Sequence, residues 1–216
     1  GLPVKRFLVA SNANHVLYDF LTTGIYGRNR SFFKTISPSM DILISSNLER
    51  LLYYKSGKDA DYIHELMKSL EEKGSYQVRS DIFKDIQKDF YGGYCDDETC
   101  AAIMKEFYEE KGYVLDPHTA VGYKVMKDYQ KNDATPCVLL ATASPYKFAP
   151  AVENAIFQQS NEDEFACMEE LQRKSGARIP DSLLLLQGAK IRHEDVIDKE
   201  DMRDYVEKTV KEMFHD

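Results

Sequence analysis

The sequence has no tryptophan, only four cysteines in 216 residues, and no apolar run approaching the ~18 residues of a membrane span. Each shortage excludes a class. Four scattered cysteines (Cys95, Cys100, Cys137, Cys167) are too sparse for a disulfide framework and read as the reduced thiols of a cytoplasmic protein. "CDDETC" is no zinc knuckle, because its spacing is too wide and neither a second pair nor a nearby histidine completes it, so no metal site is expected. Its Asp96 or Asp97 followed by Glu98 reads instead as the acidic first turn of a helix. The opening "GLPVKRFLVASNAN" lacks the apolar core of a secretory signal. Basic residues number 28 against 36 acidic ones, and the net charge of -8 argues against non-specific binding to nucleic acid or to an anionic membrane. What is present, 43% hydrophobic and 30% charged residues, is the composition of an ordinary soluble globular protein with one large or two small domains.

Three short apolar runs read as strands buried on both faces of a parallel sheet: Arg6–Ala10, Tyr113–Asp116 and Cys137–Ala143. Amphipathic helices fill the rest. Ser46 and Glu49 have the spacing of a capping box ahead of Leu48, Leu51 and Leu52. Tyr62, Ile63, Leu66, Met67 and Leu70 form a helical stripe that stops at Gly74. Ser80–Gly93 and Asp97–Gly112 each begin at a capping residue and end at glycine, and Glu200–Phe214 closes the chain as a helix. Ser160–Glu164 and Arg173–Asp181 read as loops. This pattern predicts an α/β fold, a partial three-layer αβα domain with a short, mostly parallel sheet and a large helical insert over about residues 46–112. "GLPV" reads like the glycine stop and proline exit of a preceding helix, which predicts that the chain begins partway through a larger domain.

In open α/β sheets ligands bind at the carboxyl ends of strands. Each candidate strand carries polar residues there: Ser11, Asn12 and Asn14 after the first, Asp116, His118 and Thr119 after the second, Thr142 and Ser144 at the end of the third. Capping and turn formation explain many such residues. Thr119 reads as an N-cap and Asp116-Pro117 as a turn, whereas His118 is the member least explained by capping.

Taken in order, these clusters resemble threonine synthase, a pyridoxal-phosphate enzyme of fold type II. "SNAN" (Ser11–Asn14) is similar to the family's N-x-N segment, and "SPSMDILISSNLERLL" (Ser37–Leu52) to its S-P-A-M-D-I…S-S-N-F-E-R-L-L. "DPHTAVG" (Asp116–Gly122) and "TASPYKF" (Thr142–Phe148) resemble D-P-H-T-A-V-G and T-A-H-P-A-K-F. Ser144 and Tyr146 depart from the His and Ala of many members.

The resemblance implies conversion of O-phospho-L-homoserine and water to L-threonine and phosphate, a carbon–oxygen lyase reaction in threonine biosynthesis using pyridoxal phosphate. Thr142 resembles the hydroxyl that hydrogen-bonds the pyridine nitrogen. Asn12, Asp116, His118, Thr119 and Lys147 are expected to support the site or bind substrate. Lys147 is not assigned to the imine, because the family carries a lysine here besides its imine lysine. That lysine and the glycine-rich phosphate loop precede "GLPV" in the family. The resemblance therefore implies that residues 1–216 are the C-terminal portion of the large domain, inactive alone. The missing N-terminal portion is its expected partner, and self-association through an exposed sheet edge is a further expectation. The alternative is a non-catalytic, threonine-synthase-like interaction module.

Overall fold

The computed structural model describes residues 2–159 and 161–214; Gly1 and Ser160, used above in the exit and loop readings, lie outside them. The first half runs β1 (Phe7–Ser11), α1 (Val16–Thr23), β2 (Ile25–Gly27), α2 (Ser46–Lys55), α3 (Ala60–Lys73), β3 (Ser75–Gln77), α4 (Ser80–Asp89) and β4 (Phe90–Tyr94). Then follow α5 (Asp97–Lys111), α6 (Pro117–Gln130), α7 (Ala149–Phe157), α8 (Glu164–Ser175), the short α9 (Asp181–Leu184) and α10 (Met202–Phe214).

β1 pairs in parallel with β4, Phe7 opposite Phe90 and Ser11 opposite Tyr94. Two glycines explain how helices cover both faces. Adjacent strand residues point to opposite faces. A Cβ on Gly92 would stand 3.2 Å from the Leu21 side chain of α1, and one on Gly93 only 2.7 Å from a Val125 methyl of α6. Both helices pack on both strands. The result is a short αβα sandwich, the expected α/β class. β2 and β3 make a separate antiparallel pair. One apolar core joins α1–α4 with β2 and β3 (Phe20, Leu52, Ile86); the other joins α5–α8 (Met104, Val121, Val152, Leu171).

Helix ends follow their local chemistry. Asp59 caps α3 through the Tyr62 amide, and Asp96 caps α5 through the Thr99 amide. Gly74 and Gly112 close these helices with φ of 76° and 65°, a conformation glycine adopts without a Cβ clash.

Several expectations are corrected. α2 has Ser45 as its N-cap, with no side-chain bond, so Ser46–Glu49 forms no capping box. α4 stops at Asp89, and "FYGGY" continues as a strand; the glycines mark close helix approach rather than a helix stop. The 46–112 stretch is thus mostly helical but supplies β3 and β4 as well. Tyr113–Asp116 and Cys137–Ala143 have no regular secondary structure and pair with no strand among the described residues. In the second segment Leu139 approaches Gly122 of α6, whereas Val138 and Leu140 are 87% and 72% exposed. An apolar run with one face packed and no ladder partner keeps the sequence signature of a buried strand without the pairing. α8 extends to Ser175, shortening the loop expected from Arg173.

Candidate functional site

The carboxyl ends of β1 and β4 open onto the segment Phe33–Asp41, which side chains from three elements hold in place. Asn12, fully buried just beyond β1, points its Nδ2 at Thr35 Oγ1 (2.8 Å), Asp41 Oδ1 (2.7 Å), Ser37 Oγ (3.1 Å) and the Ser37 carbonyl (3.2 Å). Asn14 donates to the Phe33 carbonyl at 2.7 Å and accepts from the Phe33 amide at 2.9 Å. From the first turn of α5, Asp97 accepts from the Ile36 amide at 3.2 Å. Burial pushes the Asp97 carboxyl above its ordinary range.

The third support comes from α6. Asp116 is its N-cap and Pro117 its first residue, a position where the missing amide costs nothing. Thr119, read as an N-cap from sequence, is instead one of the groups Asp116 receives. The carboxylate accepts from the amides of His118 (2.9 Å) and Thr119 (3.3 Å) and from the Thr119 hydroxyl. Burial works to raise its pKa, but the bonds from His118 and Thr119 win and hold it below the usual range.

His118, 6% exposed, uses both ring nitrogens. Nδ1 lies 3.0 Å from Asp116 Oδ1, and Nε2 accepts from the Ser39 amide at 3.2 Å. That pairing fixes one tautomer, with the proton on Nδ1. The ring also packs on Phe148 at 4.7 Å. His118 is therefore the tie between the start of α6 and the Ser37–Asp41 turn.

Asn12, Asp116, His118 and Thr119 are thus buried and spent on one another, on the loop or on the helix end. Thr142 and Lys147 differ. Both are exposed, and neither side chain has a hydrogen-bond or ion-pair partner among the described residues. Thr142 lies on the segment that leads, through Ser144 and a 3-10 turn (Pro145–Phe148), to the Phe148 ring against His118. Arg50, within the "SNLERLL" run, donates to the Asn47 side chain of its own helix. Sequence reasoning missed Thr35, Asp41 and Asp97 as the polar partners of the loop. The available signal was a cluster of small polar residues and acids around "SPSMD" that no helix or strand would use.

Comparison with known proteins now has a geometry to attach to. The family described as "Threonine synthase, C-terminal" matches residues 119–183. Threonine synthase of Saccharomyces cerevisiae is 38% identical over 179 residues, covering 74% of this chain and 34% of that protein. The crystal structure of threonine synthase from yeast aligns with 98% of this chain and 43% of its own at a TM-score of 0.79 and 30% identity.

The chain belongs to the threonine synthase family.

A pyridoxal-phosphate-bound threonine synthase from Brucella melitensis is also similar, with a TM-score of 0.70 and 36% identity over 77% of this chain and 36% of that one. Human threonine synthase-like 1 is 42% identical over 157 residues, 72% of this chain and 21% of that protein. The chain spans about a fifth to a third of the length of these curated relatives. No helix among the described residues is long and apolar enough to cross a membrane, and no group of His, Cys, Asp or Glu there could hold a metal.

Proposed function

We propose that this chain is the C-terminal portion of the large domain of a threonine synthase and forms one wall of its pyridoxal-phosphate site. In this reading the complete enzyme converts O-phospho-L-homoserine and water to L-threonine and phosphate. The observation that carries it is the convergence of three family-like motifs, "SNAN", "SPSMD" and "DPHT", on one hydrogen-bonded unit at the carboxyl end of the parallel strands.

The residues fit the cofactor at one atom in particular. Thr142 offers an exposed hydroxyl with no partner among the described residues, the donor a pyridine nitrogen requires. A hydroxyl can donate to that nitrogen without holding it protonated, whereas a carboxylate would favour the pyridinium. When bound, the cofactor supplies an electron sink; the protein supplies orientation and electrostatics. Asn12, Asp97 and His118 hold the Phe33–Asp41 wall, Asp116 holds His118, Thr119 holds Asp116, and Lys147 gives the crevice a positive charge.

The partner in this reading is the remaining part of the enzyme. It would cover apolar side chains exposed here, among them Leu2, Val4, Phe7, Val138 and Leu140. The test is phosphate release from O-phosphohomoserine with added pyridoxal phosphate, by the 216-residue protein alone and by the full gene product containing it. Turnover by the full product only is expected. Turnover by the 216-residue protein at the same rate overturns the one-wall assignment. An inactive but folded full product that binds another protein would favour a non-catalytic module.

A further inference from the structure

Cys95 and Cys100 have no part in the site described, yet they occupy a specific pair of positions. Asp96 is the N-cap of α5, so Cys95 stands one residue before the cap and Cys100 is the fourth residue of the helix. These positions form the hydrophobic staple, whose two side chains pack together to fix the entry of the chain into a helix. Both side chains belong to one core cluster at 2% and 1% exposure, and both thiols are free. The Cys95 thiol donates to the Asp96 carbonyl at 3.4 Å. Cys95 is anchored by its amide to the Ser11 carbonyl of β1 (2.9 Å), while the Cys100 thiol donates to the Pro117 carbonyl at the start of α6 (3.3 Å). Other staples are made of inert hydrocarbons; this one is made of two oxidisable sulfurs.

We propose that Cys95 and Cys100 are a reversible dithiol–disulfide pair, closed by exchange with a small-molecule disulfide such as oxidised glutathione. The Cys95 thiolate attacks one glutathione sulfur, the glutathione S–S bond breaks, and the departing thiolate takes up a proton. Cys100, once deprotonated, attacks the Cys95 sulfur of the mixed disulfide and expels the second glutathione as a thiol. The protein loses two hydrogens, and one oxidised glutathione becomes two reduced ones. Cys95 is the first nucleophile, since the neighbouring Cys100 side chain holds it below the usual thiol range, whereas Cys95 and burial push Cys100 up. Because both sulfurs are buried, exchange proceeds through opening of the first turn of α5. A disulfide has no S–H, so Pro117 loses the donor to its carbonyl. Closure is thereby felt where α6 begins, beside His118.

The experiment incubates the folded 216-residue protein with oxidised glutathione, counts free thiols after unfolding and maps the linked peptides by mass. Two of the four thiols should disappear, with Cys95 joined to Cys100, and return on adding dithiothreitol. C100S, checked for folding by circular dichroism, should stop at a glutathione adduct on Cys95. The wild-type mapping carries the test if that variant does not fold. Four thiols remaining, a bridge involving Cys137 or Cys167, or a wild-type protein that stops at a glutathione adduct would overturn the proposal. None of these outcomes depends on the enzymatic reading.

Discussion

Replacing Asp116 by asparagine removes one charge and little else. Asparagine caps helices about as well as aspartate, so the amides of His118 and Thr119 keep an acceptor. What goes is the charge on the bonds from the His118 ring and the Thr119 hydroxyl, and with it the match to the α6 N-terminus. Bonds to a charged group contribute ~1.5–3 kcal/mol each, against ~1 for neutral pairs, so a loss of about 2 kcal/mol is expected at neutral pH. The pH dependence identifies the cause. The folded-state pKa of Asp116 lies below its ordinary 3.8, so its stabilisation is complete above that value and fades as the pH falls through the folded value. The gap between wild type and variant should therefore be full at pH 7 and shrink below about pH 4. With no tryptophan to report, unfolding in urea is followed by far-ultraviolet circular dichroism. A midpoint lowered by roughly 1 M is expected for a slope of ~2 kcal/mol/M. Equal stability at neutral pH, or a gap of unchanged size on acidification, would refute the role given to the Asp116 charge.

Gly93→Ala drives a methyl to 2.7 Å from Val125, an overpacking expected to cost about 1–3 kcal/mol in urea unfolding. Val125→Ala should recover part of that cost in the double variant, and simple additivity would contradict the close approach. Asn12→Ala strips the partners from Thr35, Ser37 and Asp41 and should cost about 1–3 kcal/mol. Amide exchange should accelerate in the 33–41 segment first, and uniform acceleration across α3 would argue against a local clamp. Thr142→Val should leave the stability of this chain within about 0.5 kcal/mol, because the exposed hydroxyl holds nothing in place. In the complete enzyme the same change should lower kcat at least roughly tenfold while weakening cofactor binding less, since the bond counts most as charge reaches the ring. Undiminished kcat would remove the cofactor role of Thr142.

Helices were legible where one local rule decided them. The stripe of Ile63, Leu66 and Leu70 with Gly74 after it gave α3 its period and its C-terminal end, because caps and amphipathicity are short-range properties. β4 was not legible. "FYGGY" looks like a helix stop from sequence, and only the approach of Leu21 and Val125 from opposite sides explains two glycines inside a strand. Tyr113–Asp116 and Cys137–Ala143 fail in the opposite sense. Their composition is that of buried strands, but strandhood requires a neighbour, and periodicity carries no information about whether one is present. At the site, the positions of Asn12, Asp116, His118 and Thr119 were visible as strand-end polar clusters. Their convergence on Phe33–Asp41 was not, since it depends on bonds spanning 23 to 79 residues of sequence.

The hydrogen-bond accounting also separates two kinds of polar residue that look alike in a motif. A buried polar group must be satisfied within the protein or pay the cost of desolvation, and Asn12, Asp116, His118 and Thr119 are satisfied there. Groups already spent in this way position a wall; they have little capacity left for a ligand. His118 is the clearest case, because an imidazole has two nitrogens and both are committed. Thr142 and Lys147 stand at the other extreme, exposed and without partners among the described residues. In the proposed reading these two are donors left for a ligand, together with the Ser39 hydroxyl, which is likewise exposed and without a side-chain partner among the described residues. In that proposed reading "DPHT" and "TASPYKF" divide the labour, the first building the surface and the second offering it to the ligand.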